Sequence, residues 1–518
     1  MDTETAAVQP SRMMRILDAI ERVGNRLPHP TSLFFILCLL ILVLSWLCGM
    51  LGVSAVHPIT GNTVTAVNLL SVEGLHLMLA NTVTNFTGFA PLGTVLVAML
   101  GIGIAEQSGL LSSVLRLLVL SAPKRLLTFV VVFAGVLSSL AADAGYVVLI
   151  PLSALVFIAA GRHPIAGIAA AFAGVSGGFS ANLSIGPLDA LLAGISTESA
   201  KLFIDYEVSA AANWYFIFVS TFMIAIVGAW VTEKLVVPRL PEWKPDAGTT
   251  TADNLNEEER RGLRYAGVAS LVLIGILLIG LLPESGVLRD PETGSIVKSP
   301  FINGIVTVIA LFVALVGIAY GIGAKTIKND RDIINSMEST MGTMAAYLVL
   351  MFFAAQFVNY FAWTNLGLIS AINGSIFLKS LGWGPVPLLL IFILFAAMIN
   401  LFIGSASAKW AIVAPVFVPM LMILGIAPET TQVAYRIGDS VTNIITPLMP
   451  YFALVVAFVQ RYDKEAGIGT IIAVMLPYSV CFLIAWSVLL SAWVLLGAPL
   501  GPDAQLFIEP VNTNVTKP

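Results

Sequence analysis

Residues 386–424 read VPLLLIFILFAAMINLFIGSASAKWAIVAPVFVPMLMIL. The stretch is apolar at both ends, but its middle, NLFIGSASAKW over residues 400–410, is small and polar. A helix crossing a hydrocarbon core of roughly 30 Å needs about 20 apolar residues. A single pass would carry that polar middle to mid-depth. Backbone that leaves the helix at such depth is tolerated only where protein covers it or it lines a cavity. The stretch therefore reads as a re-entrant hairpin with residues 400–410 at its tip.

The composition agrees with a membrane setting. The chain of 518 residues is 58% hydrophobic and 11% charged, with mean hydropathy +0.93, where ordinary globular domains carry about 25% charged residues. Long continuous apolar runs, rather than alternation, exclude a β-barrel. The fold class is an all-α polytopic membrane protein. A net charge of −4 carries no signal for nucleic acid, and none is expected as a partner. Cys38, Cys48 and Cys481 sit in apolar spans at no metal spacing, and His29, His57, His76 and His163 all avoid the middle of strong apolar spans. No HExxH, GxSxG or positioned histidine points to an enzyme. The polar N-terminus and long first apolar run read as a retained span, not a cleaved signal.

Lysine and arginine placement orients the spans. Arg12, Arg15, Arg22 and Arg26 precede a first span at about Leu33–Leu51, and residues 52–89 carry no Lys or Arg. This puts the N-terminus in the cytoplasm and that loop outside. A second span, Phe89–Ala105, returns to an amphipathic stretch with Arg116. Leu126–Gly161 is a second interrupted region, with SSLAADAG (138–145) at its middle and Lys124, Arg125 and Arg162 at its flanks. Basic residues on both sides make it a hairpin from the inside, whereas residues 386–424 enter from the outside. The remaining spans are Ile165–Ile185 (broken by GVSGGFSANLS), Asn213–Val231, Leu263–Leu282, Ile302–Ile322, Ala345–Ala362, the segment carrying Arg436, and Thr470–Leu496. The total is nine spans and two opposed hairpins, with the C-terminus periplasmic if the membrane is a bacterial inner one.

The chain divides accordingly: 1–32, a cytoplasmic segment; 33–125, first scaffold helices; 126–195, first hairpin and broken helix; 213–385, scaffold helices with a cytoplasmic linker at 240–262; 386–460, second hairpin and broken helix; 461–518, last span and outer tail. Within the linker, KPDAGTTTADNLNEEERR (244–261) reads as disordered.

The two interrupted regions match. Asp143 to Pro151 and Ser407 to Pro415 are both eight residues, with Tyr146 and Trp410 at matching places. Asn182 and Asn443 follow, each trailed by a proline, Pro187 and Pro447. Each half is a hairpin followed by a broken span, in opposite orientations. Inverted repeats with interrupted helices place a transport site near the bilayer midplane.

YRIGDSVTNIITP (435–447) adds charge to that site. Arg436 and Asp439 are three apart and share a helix face. Each charge costs about 2.5–3.5 kcal/mol at the centre of a membrane helix on insertion scales. One reading is a structural ion pair between neighbouring helices. The other has Arg436 bind a substrate carboxylate, which its planar guanidinium suits, while Asp439 holds a cation or proton. Trp410 offers a ring face to an aromatic substrate or else packs. Ser405 and Ser407 donate to a ligand or allow close helix approach. Asn400 and Asn443 offer carbonyl oxygens to a cation or bond between helices. Asp143 sits at a hairpin tip near the cavity, and Asp189 begins the acidic outer loop.

These blocks, together with GNRLPHP, NFTGFAPLGTVLV and GRHPIAGIAAAFAGVSGGFSANL, resemble the p-aminobenzoyl-glutamate transporter (AbgT) family along nearly the whole chain. The resemblance implies a homodimer with an architecture like that of divalent-anion sodium symporters of the ion transporter superfamily. It implies secondary active transport, by alternating access on a proton or sodium gradient, of p-aminobenzoate, its glutamate conjugate and sulfonamide antimetabolites. It places Asp189, Ser407, Trp410, Arg436, Asp439 and Pro447 at functional positions; Asn182 and Ser405 are expected beside the substrate from their places in the repeat and at the tip. Asn400 with Asp439 resembles a cation site that takes sodium. No other cofactor is implied. Where related sodium symporters carry Ser-Asn-Thr at a hairpin tip, this chain has Ser138-Ser139-Leu140. The resemblance therefore does not extend to a sodium site in the first half. The alternatives are a sodium-coupled importer of dicarboxylates or other organic anions, and a channel.

Overall fold

A computed structural model describes residues 30–141, 145–241, 255–296 and 299–508. Its regular structure is almost wholly helical. Among the described residues the only paired strands are Ser54–Val56 and Thr63–Thr65, a short antiparallel hairpin. Among the described residues, eight helices are long and apolar enough to cross a membrane. Seven answer to expected spans, from Pro30–Met50 to Ile468–Leu496. The eighth, Ala406–Ile423, is the second arm of residues 386–424. The two spans expected to be interrupted are each split into shorter helices. This is an all-α polytopic membrane fold.

Both interrupted regions double back. In the first, Leu127–Leu137 runs into a 3₁₀ turn, Ser138–Ala141, and the chain returns through a π turn, Gly145–Leu149, into Ile150–Ala159. Its two ends meet, because Arg162 Nη1 donates to Thr128 Oγ1 at 2.8 Å. Glu233 joins them, accepting from Thr128 and pairing with Arg162, both at 2.5 Å. In the second, Pro385–Asn400 and Ala406–Ile423 flank an unwound tip. Phe417 of the return arm packs on Phe392 and Phe395 of the first arm, with ring centroids 4.9 Å apart in each case.

Each hairpin is followed by a broken helix. Pro164–Phe172 ends in a π turn, Ala173–Gly177, and helix resumes at Pro187–Ala200. Pro428–Thr442 ends at Asn443, and helix resumes at Phe452–Gln460. Proline opens three of these four helices at its first position, where its missing N–H has no partner to lose. The two halves make one contact at the same sequence separation: Asn182 donates to Ser139, and Asn400 donates to Asn443, both 43 residues apart. Offsetting the first half by 261 residues superposes these pairs, so the repeat seen in the spacing is also a repeat of contacts.

The structure departs from the sequence reading in three places. The loop expected after residue 52 contains a helix, Val72–Thr87, and a further helix, Leu366–Ser380, lies before the second hairpin. The linker expected to be disordered is partly ordered. Glu257–Leu281 begins inside it, and Asn256 and Glu259 cap one another at 2.7 and 2.8 Å. Residues 242–254 of that linker lie outside the described residues. Third, Asp189 does not begin a loop. It stands in the first turn of Pro187–Ala200 and accepts from Gly186 N at 2.7 Å.

One close approach fixes the helix that carries the polar cluster. A Cβ on Gly438 would fall 2.4 Å from Ile393 O and 2.7 Å from Ala396 Cβ. Pro428–Thr442 thus lies directly on Pro385–Asn400. Gly438→Ala should force the two backbones apart and cost about 1–3 kcal/mol, the range for overpacking. A thermal midpoint in detergent equal to that of the unchanged protein would refute this.

Candidate functional site

A cavity of about 380 Å³ opens where the two hairpin tips meet the first helix break and the helix Pro428–Thr442. Ser139 comes from the first tip, and Ser405 and Ser407 from the second. Phe179 and Asn182 come from the first break, Asp189 and Leu191 from the helix after it, and Arg436 from Pro428–Thr442. Val95, Met99, Ile102, Met344 and Tyr347 complete an apolar wall supplied by the scaffold helices. A second cavity of about 240 Å³ shares Ser139, Phe179 and Ala406 with the first and extends to Asn443, Met449 and Tyr451. The tips and the first break thus form the partition between two cavities.

Arg436 is the charged donor on the first wall. It is 4% exposed. Its Nη1 meets Asp189 Oδ1 at 2.6 Å and its Nη2 donates to Ser180 O at 3.1 Å, while Nε has no hydrogen-bond partner. Asp189 is fixed in turn by the Gly186 N–H. The guanidinium is therefore oriented by the other half of the repeat and keeps a donor in reserve, in a setting where a buried unmade donor costs about 1–3 kcal/mol. Ser180 Oγ is also buried and unpartnered. Asn182 Nδ2 donates to Ser139 Oγ at 2.6 Å, tying the first break to the first tip at the cavity edge. Ser405 Oγ and Ser407 Oγ lie 3.2 Å apart, and Ser405 also caps Ala406–Ile423.

Other expected residues stand behind this wall. Arg436 and Asp439 share a helix face but do not pair. Asp439 pairs instead with Lys409, Oδ1 to Nζ at 2.5 Å, with both side chains buried. Lys409 also donates to Asn400 Oδ1. Asn400 donates to Asp439 O, Thr442 Oγ1 and Asn443 Oδ1 at 2.5–2.8 Å, and Asn443 donates to Ser176 O at 3.4 Å. Trp410 is wholly buried and does not line the cavity. Its ring stacks on Tyr435 at 4.4 Å, and its Nε1 donates to Leu192 O and Ser196 Oγ at 3.2 and 3.0 Å. In this conformation Trp410 shapes the site through Tyr435, whose hydroxyl donates to Ala406 O at 2.5 Å and lies 3.3 Å from Asp439 Oδ1. Pro447 is half-buried within the second break. Asp143 lies outside the described residues.

Lys409 and Tyr435 are the residues that sequence reasoning missed. Lys409 sat within the quoted tip, and a lone lysine in a long apolar stretch is itself a signal.

A model of the AbgT putative transporter family matches residues 15–508. The chain belongs to the AbgT family. It is 42% identical over 484 residues to the p-aminobenzoyl-glutamate transport protein of Escherichia coli (strain K12), covering 93% of this chain and 95% of that one. Among solved structures it resembles the YdaH transporter of Alcanivorax borkumensis, with a TM-score of 0.88 at 54% identity over 92% of this chain and 100% of that one. It also resembles MtrF of Neisseria gonorrhoeae, described as illuminating a class of antimetabolite efflux pumps, with a TM-score of 0.88 at 49% identity over 95% and 100%. The AbgT-family chain described here is a membrane transporter, not an enzyme.

Proposed function

We propose that this AbgT-family protein is a secondary active transporter of p-aminobenzoate-like aromatic carboxylates, including p-aminobenzoyl-glutamate, and that it exports them along with sulfonamide mimics. The observation that carries the reading is Arg436, buried on a largely apolar cavity wall with one guanidinium N–H unused. A volume of about 380 Å³ falls within the ~300–1,000 Å³ of small-molecule sites. The apolar wall takes a ring, and the guanidinium donates a charge-assisted hydrogen bond to a carboxylate. The names of the Escherichia coli and Neisseria gonorrhoeae relatives support this substrate class and direction.

In this reading the protein works as a homodimer in the inner membrane, N-terminus cytoplasmic and C-terminus periplasmic. Residues 126–195 and 386–460 move together against the scaffold helices, on a proton or sodium gradient. The shared wall between the two cavities is what alternating access would open on one side and close on the other.

The test is p-aminobenzoate flux in proteoliposomes with proton and sodium gradients imposed separately. One gradient should drive accumulation against the substrate gradient. Flux indifferent to both would point to a channel and overturn coupled transport.

A further inference from the structure

The sequence resemblance puts a sodium ion at Asn400 and Asp439. The residues present do not fit one. Hard cations collect several oxygen ligands, and here three side-chain oxygens of the site, one each from Asp439, Asn400 and Asn443, are already committed. Asp439 Oδ1 faces Lys409 Nζ at 2.5 Å and the Tyr435 hydroxyl at 3.3 Å. Asn400 Oδ1 accepts from Lys409, and Asn443 Oδ1 accepts from Asn400. The ammonium is 1% exposed and reaches this point from the return arm of the hairpin, nine residues beyond Asn400. Sodium and the ammonium carry the same charge, so one carboxylate here neutralises one of them.

We infer that Lys409 is a tethered cation: its ammonium occupies the place between Asp439 and Asn400 that a sodium ion would otherwise take. The arrangement belongs to one half only. The match of Tyr146 with Trp410 puts Gly145 where the second half has Lys409, and the 261-residue offset of the asparagine contacts puts Gly178 where it has Asp439. The first half therefore needs no cation at this position, and the second half carries its own. For its consequence, that sodium is not the coupling ion at this site, the inference rests on the transport reading. The occupancy itself does not, and it is tested by binding alone.

The experiment uses the purified full-length protein in detergent and compares sodium chloride with choline chloride at equal ionic strength. Thermal midpoints of the unchanged protein should coincide in the two salts. Lys409→Ala should leave Asp439 unpaired, lower the midpoint in choline, and acquire a saturable, sodium-specific rise, because a ligand that binds only the folded state stabilises it. Adding Asp439→Asn to Lys409→Ala should abolish the rise. Equilibrium binding of radioactive sodium should go from none in the unchanged protein to stoichiometric in Lys409→Ala. A saturable sodium response in the unchanged protein that Asp439→Asn removes would overturn the inference. So would a folded Lys409→Ala that binds no sodium. Should Lys409→Ala not fold, the binding measurement on the unchanged protein and on Asp439→Asn still decides: sodium bound by the former and lost in the latter refutes the tethered cation.

Discussion

Replacing Arg436 with glutamine is expected to lower flux of p-aminobenzoate, at substrate below saturation, by at least about 30-fold. Truncating one partner of a buried, hydrogen-bonded charge pair costs about 2–5 kcal/mol in binding, and each 1.4 kcal/mol is about tenfold. The same change should destabilise the fold, since Asp189 would stay buried without its cation, at about 3–5 kcal/mol. The two effects separate in the double variant Arg436→Gln/Asp189→Asn. Removing both charges should return most of the stability, because a buried pair adds little beyond what its absence would leave. It should not return the flux, because the guanidinium that faces the cavity is gone. Flux in the stable double variant close to that of the unchanged protein would make the pair purely structural and sink the substrate assignment of Arg436.

The second large effect is expected at Asp439. Asp439→Asn leaves the Lys409 ammonium buried beside Asn400 with no carboxylate, at a cost of about 3–5 kcal/mol. The thermal midpoint in detergent should fall sharply. Adding Lys409→Met should recover much of it, since a methionine of similar length fills the space without a charge. Tyr435 keeps its bond to Ala406 O in both variants, so the recovery isolates the ion pair. If Asp439→Asn alone melts with the unchanged protein, the two groups are not a charged pair in the folded state.

Periodicity and spacing carried the fold a long way. The small polar tips in apolar runs, the prolines eight residues beyond Asp143 and Ser407, and the asparagines in the breaks all mark the repeat. Short helices were harder to see. Val72–Thr87 and Leu366–Ser380 have 16 and 15 residues, fewer than the about 20 that a crossing requires, so a search for spans passes over them. The charge pairing was not legible. Arg436 and Asp439 read as ligand groups or as an ion pair between neighbouring helices, but nothing in the sequence named their partners: Asp189, 247 residues away, and Lys409 on the hairpin's return arm. No local pattern encodes a contact between the two halves of a repeat. Asp189 was misplaced because acids crowd the segment after it, although Gly186-Pro187 with an acid two residues on is a helix start. Trp410 was expected at the ligand because of its position at a tip. The direction of its ring, toward Tyr435 and Ser196, depends on packing that only the folded chain reveals.

In the proposed alternating-access cycle, the two buried ion pairs also set how the carrier responds to membrane voltage. Arg436 with Asp189 and Lys409 with Asp439 are each balanced one to one. With the cavity empty, these four groups can change sides without moving net charge across the bilayer. An anionic substrate disturbs that balance by its own charge. Moving one unit charge through the membrane is worth about 2.3 kcal/mol per 100 mV. An interior-negative potential therefore pulls the loaded form outward and leaves the empty return step unopposed. In a transporter so arranged, voltage alone biases a carboxylate toward export, before any coupling ion is considered.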